Sequence, residues 1–195
     1  MNPISELTAE HRAIESALAI LADISPAIGL PERPEALPDA ARLVEFFSTF
    51  ADACHHGKEE GFLFPALEQI GVSRKAGPIG VMLAEHDLGR RYLAAMRDNL
   101  SKMNAGRLAA AADFRKNAAQ YIDLLRQHIY KEDQVLFKIA AQSLSQEMLA
   151  GICIDFERLE REKIGSGKHE AYHRLLGELR EKYWTSLAKT ADCLI

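Results

Sequence analysis

At 195 residues, with 48% hydrophobic and 27% charged side chains, the chain is long enough for one domain with a sizeable core and is ordinary in composition for a globular protein. Its 24 Lys and Arg against 28 Asp and Glu give a net charge of -4, and the basic residues are dispersed, so no basic stripe for nucleic acid is present. The opening residues lack a positive segment followed by an apolar one, and no run of about 18 apolar residues occurs, so the expectation is a cytoplasmic protein without a membrane partner. Cys54, Cys153 and Cys193 are odd in number and lack C-x-x-C spacing, which suits a reducing compartment.

In chain order the sequence reads as helices. Leu7, His11, Ile14, Leu18 and Leu21 recur at four, three, four and three residues, the stripe of a buried helical face with a histidine inside it. Three prolines and a glycine between Ser25 and Pro34 then predict a loop running to about Pro38. Asp39 is the expected N-cap of a second helix, in which Val44, Ser48, Ala51, His55, Glu59, Phe62 and Ala66 share a face and which Pro65 bends near its end. A connection from Gly71 to Pro78 leads to a third helix with Ile79, Met82, His86, Leu93 and Leu100 inward and Arg90 on or beside that face. After Asn104-Ala105-Gly106 the fourth stripe is Phe114, Tyr121, Leu125, His128, Glu132, Val135 and Ile139. Four patterns of about 25 residues or more with mostly short junctions predict an all-α antiparallel up-down four-helix bundle.

Two further amphipathic patterns, 145–162 and 168–187, flank Gly165-Ser166-Gly167 and present Met148, Ile152, Phe156 and Leu159, then Tyr172, Leu175, Leu179 and Trp184. They are expected to pack on the bundle or at a subunit interface, as in a homodimer, which divides the chain into a bundle (1–143) and a helical extension (144–195).

The chemistry lies in a repeat. From His55 and from His128, a Lys follows at +3, a Glu at +4, an acid at +5 and Leu-Phe at +8 and +9. On a helix, i and i+4 lie on one face, so each copy can present an imidazole and a carboxylate to one point. His11 precedes the first copy and His86 the second by similar distances, so two facing halves would supply His11, His55, His86 and His128 with Glu59 and Glu132. Six such ligands exceed a tetrahedral zinc site and suit two ions sharing the carboxylates, whose mutual repulsion a pair of divalent cations would offset.

With these motifs, His-x-x-x-Glu-Glu-x-x-Leu-Phe-Pro from His55 to Pro65 above all, residues 7–140 resemble the hemerythrin-like family, the HHE cation-binding domain. The resemblance implies metal ligands at His11, His55, Glu59, His86, His128 and Glu132. It also implies a non-haem centre of two iron ions bridged by two carboxylates and an oxo or hydroxo group. Activities in such a family include O2 binding, O2 or redox sensing, and handling of nitric oxide, peroxide or iron, so the expected partners are a small diatomic or peroxide ligand and an electron donor. The alternatives are a redox enzyme acting on peroxide or nitric oxide and a metal-stabilised bundle that binds a partner. Oxygen carriers of the family have two His four residues apart on the third helix, whereas Met82 and Arg90 flank His86 here. A count of four His leads to the expectation of mostly irreversible oxidation by O2; restoration of a ligand by Glu32 or Glu35 of the first loop is the alternative, and not the favoured one.

Other residues receive lesser roles. His56, about 100° round an α-helix from His55 and matched by Ile129 in the second copy, is expected to support the site or lie at the surface. Glu60 and Asp133 are expected to accept hydrogen bonds or form ion pairs, and Lys58 and Lys131 to reach outward or pair with acids. Tyr121, two turns before His128, is a core tyrosine or a donor to a bound ligand. The single Glu-x-x-His, at Glu170 to His173, argues against a ferritin-like centre, and His169 and His173 are expected at the surface.

Overall fold

In the computed structural model, residues 2–75, 77–163 and 168–191 are described, with side chains for 2–75, 77–162 and 170–183. The expected Gly165–Gly167 break and the side chains of His169 and Trp184 lie outside the described residues, as does Cys193.

Helix α1, Pro3–Ile24, starts where the Asn2 side chain accepts the Ile4 amide at 2.9 Å and Pro3 fills the first turn, a position where its missing N–H costs nothing. All five residues of its predicted stripe are buried. A short turn, Ser25–Ala27, leads into the loop. Gly29 there has φ +86°, and a Cβ would fall 2.9 Å from Ala111 Cβ, so the loop is pressed against the fourth helix where only glycine fits.

Helix α2 spans 36–69. It begins at Ala36, earlier than expected, so Asp39 is not its N-cap but lies inside its first turn. The rod is α-helical over Ala36–Phe46, π-helical over Phe47–His56 and Glu59–Leu63, and α-helical again over Phe64–Gln69. Pro65 falls in the first turn of that last segment, where the π-helical register change accommodates its missing donor. Helix α3 is Pro78–Asn104, and it ends where Gly106 takes φ +83°. Helix α4 spans 110–143, built from Ala110–Lys131, a π-helical Glu132–Leu136 and Phe137–Ser143.

The π segments shift the buried face. Each i→i+5 turn carries one residue more than an α turn, so the α-helical stripe slips. Val135 is 48% exposed and Ile139 only partly buried, while Leu136, Phe137 and Ala140 turn inward. The four rods pack as a closed ring, α1 to α2, α2 to α3, α3 to α4 and α4 to α1. Two apolar clusters fill it. One holds Leu18, Phe47, Met96 and Phe114 and the other Leu7, Phe64, Met82 and Phe137, with the buried His and Glu between them.

Helices α5 (Gln146–Lys163) and α6 (Lys168–Ala191) lie on α1 and α2. Ile152 and Phe156 of α5 and Leu175, Leu179 and Tyr183 of α6 are buried. The Asp39 carboxylate anchors α6 by accepting from Lys182 (2.5 Å) and Tyr183 (2.9 Å). Among the described residues no strand occurs, and no helix is long and apolar enough to cross a membrane.

Candidate metal centre

All six sequence-predicted ligands converge in the ring, each 0–1% exposed, and His56 joins them at 3%. Potential ligand atoms gather in two overlapping groups: His56, Glu59, His86 and His128, and His11, His55, Glu59 and Glu132. Glu59 belongs to both. Its Oε1 lies 3.6 Å from His55 Nε2 and its Oε2 lies 3.5 Å from His86 Nε2, so one carboxylate spans the two groups. Glu132 Oε2 approaches His11 Nε2 (3.2 Å) and His128 Nε2 (3.3 Å).

The burial of His56 excludes the surface position that the sequence allowed. Its segment, Phe47–His56, is π-helical, so adjacent residues are separated by a smaller angle than in an α-helix and His55 and His56 both face the interior. Its ring stacks on His86 with centroids 3.8 Å apart. The available signal was Asp52, an acid four residues earlier that the His56 Nδ1 meets at 3.3 Å. Glu32 and Glu35 do not join: Glu32 is exposed and Glu35 pairs with Arg33 at 2.7 Å.

Every one of these imidazoles turns Nδ1 to a carboxylate. His11 meets Asp133 (2.8 Å), His55 meets Glu10 (2.8 Å), His86 meets Glu60 (2.7 Å) and His128 meets Glu85 (3.0 Å), besides the His56 and Asp52 pair. A carboxylate at Nδ1 holds the proton there and directs the Nε2 lone pair inward, the tautomer a metal needs.

The repeat is thereby explained position by position. In each copy the His takes its support from the acid of a Glu-His pair on the preceding helix, Glu10 before His11 and Glu85 before His86. The +3 lysine pairs with that acid: Lys58 Nζ lies 2.6 Å from Glu10, and Lys131 pairs with Glu85. The +5 acid supports the lone His of the other half, Glu60 for His86 and Asp133 for His11. The phenylalanine at +9 then covers that same ring, Phe64 on His86 (5.9 Å) and Phe137 on His11 (5.1 Å). Lys58 is fully buried, held also by Glu6 (2.6 Å) and Glu160 (2.5 Å). That ammonium already fills the space among Glu10, Glu160 and Cys54, and burial pushes the Cys54 thiol up to about 12.

The electrostatics suit cations. Burial and the neighbouring Glu132 push the Glu59 carboxyl well above the usual range. Burial and neighbouring imidazoles hold His55 and His56 far below theirs, and His86 at about 2. Burial alone would lower His11, but the hydrogen bond it donates to Asp133 and the adjacent Glu132 hold it at about 9. His11 Nε2, His55 Nε2 and all four oxygens of Glu59 and Glu132 are buried without a hydrogen-bond partner, and His86 Nε2 faces His128 Nε2 at 3.1 Å, lone pair to lone pair. Each buried charge left unpaired costs on the order of several kcal/mol, and a pair of divalent ions would satisfy all of these atoms at once. Tyr121 contributes the remaining buried side-chain hydroxyl without a partner among the described residues, its phenol pushed well up by burial.

A four-helix ring with His and Glu converging at its centre defines the class of bundle proteins that hold two metal ions between facing helices. The family model for the hemerythrin HHE cation-binding domain matches residues 2–140, and the chain belongs to that family. No curated relative matches the chain.

Proposed function

We propose that the protein is a non-haem di-iron protein that binds O2 or a related small redox ligand, nitric oxide or peroxide, in sensing, storage or oxidative and nitrosative defence. The observation that carries this reading is Glu59, fully buried, with both oxygens unpartnered and one turned to each ligand group. His56, His86 and His128 with Glu59 would hold one ion, and His11 and His55 with Glu59 and Glu132 the other. Two iron ions joined by an oxo or hydroxo bridge supply electron exchange with such a ligand when bound. In this reading the bundle, 1–143, carries these residues, and the extension, 144–195, contributes α5 and α6, which lie on α1 and α2.

The chain's own residues divide the tasks. Five carboxylates lock the imidazole tautomers, and Leu63, Phe64, Leu136 and Phe137, all at most 3% exposed, keep water from the centre. The two halves are unequal. Three imidazoles gather on one side and two on the other, where Glu132 completes the set. The expectation of irreversible oxidation rested on a count of four His, and a fifth imidazole from His56 would favour reversible binding. Reversible binding is therefore the reading we adopt.

Anaerobic reduction followed by stopped-flow absorption during O2 exposure and removal tests it. Full recovery over repeated cycles supports binding. Oxidation that fails to reverse, and that turns over only with peroxide or nitric oxide, would identify a redox enzyme instead.

A further inference from the structure

We infer that Arg90 is the positioning residue of the three-imidazole side: its guanidinium ties together the carboxylates that orient His56 and His86. Arg90 Nε donates to Asp52 at 2.8 Å and Arg90 Nη2 donates to Glu60 at 2.7 Å. Asp52 receives His56 Nδ1 and Glu60 receives His86 Nδ1. The two imidazoles come from different helices, α2 and α3, yet stack with rings only 13° from parallel. One planar cation with two donors fixed in its plane therefore holds the supports of a pair of imidazoles at once, which a point charge such as an ammonium cannot do with the same geometry. The other cations at the site reach a single supporting carboxylate each: Arg12 reaches Asp133, Lys58 reaches Glu10 and Lys131 reaches Glu85.

The position of Arg90 also explains how the chain uses His56. His56 is the member of the set without a counterpart in the second repeat, where Ile129 is buried in its place. Its Nδ1 contact to Asp52, at 3.3 Å, is the longest of the five, and Asp52 is partly exposed. A third arm of Arg90 reaches Asp87 at 3.2 Å, one turn earlier on its own helix, which keeps the guanidinium in place over the rim.

This inference rests on the two-ion reading, and titration with Co2+ separates the two. The wild-type protein is expected to show two resolvable binding steps in its visible spectrum. Arg90→Met keeps the aliphatic stem and removes the clasp. It should weaken one step by about 10- to 100-fold, the effect typical of lost outer support, and leave the other within about twofold. Arg90→Lys should resemble Arg90→Met, because charge without the fork cannot bridge Asp52 and Glu60. Arg12→Met, which touches only the support of His11, should leave the step lost in Arg90→Met unchanged, and thermal melts of the metal-free variants report any loss of fold. Two unaltered steps in Arg90→Met, full recovery in Arg90→Lys, or equal weakening of both steps would overturn the role of Arg90. A wild-type protein that takes up one cobalt ion or none would instead overturn the two-ion reading itself.

Discussion

The Lys58 ammonium and the Glu10 carboxylate lie 2.6 Å apart in the interior, and the other Glu10 oxygen accepts a hydrogen bond from His55 Nδ1. Lys58 also stands 5.3 Å from the Phe156 ring, so the extension closes the cage around it. Removing one partner of a fully buried pair leaves the other charge stranded. Lys58→Met is accordingly expected to lower the stability of the metal-free protein by about 3–5 kcal/mol in urea unfolding. Lys131 occupies the same place in the second repeat but its side chain is 36% exposed, so Lys131→Met should cost less than about 1 kcal/mol. Equal losses in the two variants would contradict the difference in burial.

Asp39 fastens α6 to α2. Burial would raise its carboxyl, but Lys182 and Tyr183 hold it below the ordinary 3.8. A depressed folded value means the contribution is complete above the unfolded pKa and is lost as pH falls through the folded one. Asp39→Asn should therefore cost about 1–3 kcal/mol at neutral pH, with the gap between variant and wild type closing below pH 3.8. Denaturation curves across that range check both the size and the sign.

Metal uptake should release protons. His11, held at about 9, carries a proton at neutral pH without a metal, whereas His55, His56 and His86 are held below the usual imidazole range. Binding displaces the His11 proton, so about one proton per chain should appear in a weakly buffered titration, and affinity should rise with pH up to about 9. Uptake without proton release would take His11 away from the ions.

His56→Ala should weaken one of the two ions selectively, with the second retained after dialysis. Such a loss is expected from the structure and not from helical periodicity. Two tightly held ions in that variant would return His56 to a supporting role.

The parts of the molecule that obey α-helical spacing were legible from residues alone. The α1 stripe, His11 included, is buried as spaced, and the His-x-x-x-Glu repeats bring their side chains to one place. Where the backbone is π-helical the same arithmetic failed, at His56 on α2 and at Val135 and Ile139 on α4, because one added residue per turn rotates the buried face. The carboxylate supports Glu10 and Glu85 were not legible either, since nothing local says which helix each acid will face. Lys58 illustrates the extreme: its burial depends on Glu160, which lies 102 residues further along the chain.

On the di-iron reading the converging His and Glu hold two iron ions in unequal surroundings. Mössbauer spectroscopy of protein reconstituted with isotopically enriched iron, with the bound metal quantified on the same sample, resolves them. Two irons per chain are expected as two distinct sites of equal population, both lost in Glu59→Ala because that carboxylate spans the two ligand groups. A single iron site, or one tightly held zinc with no iron, would overturn the di-iron reading.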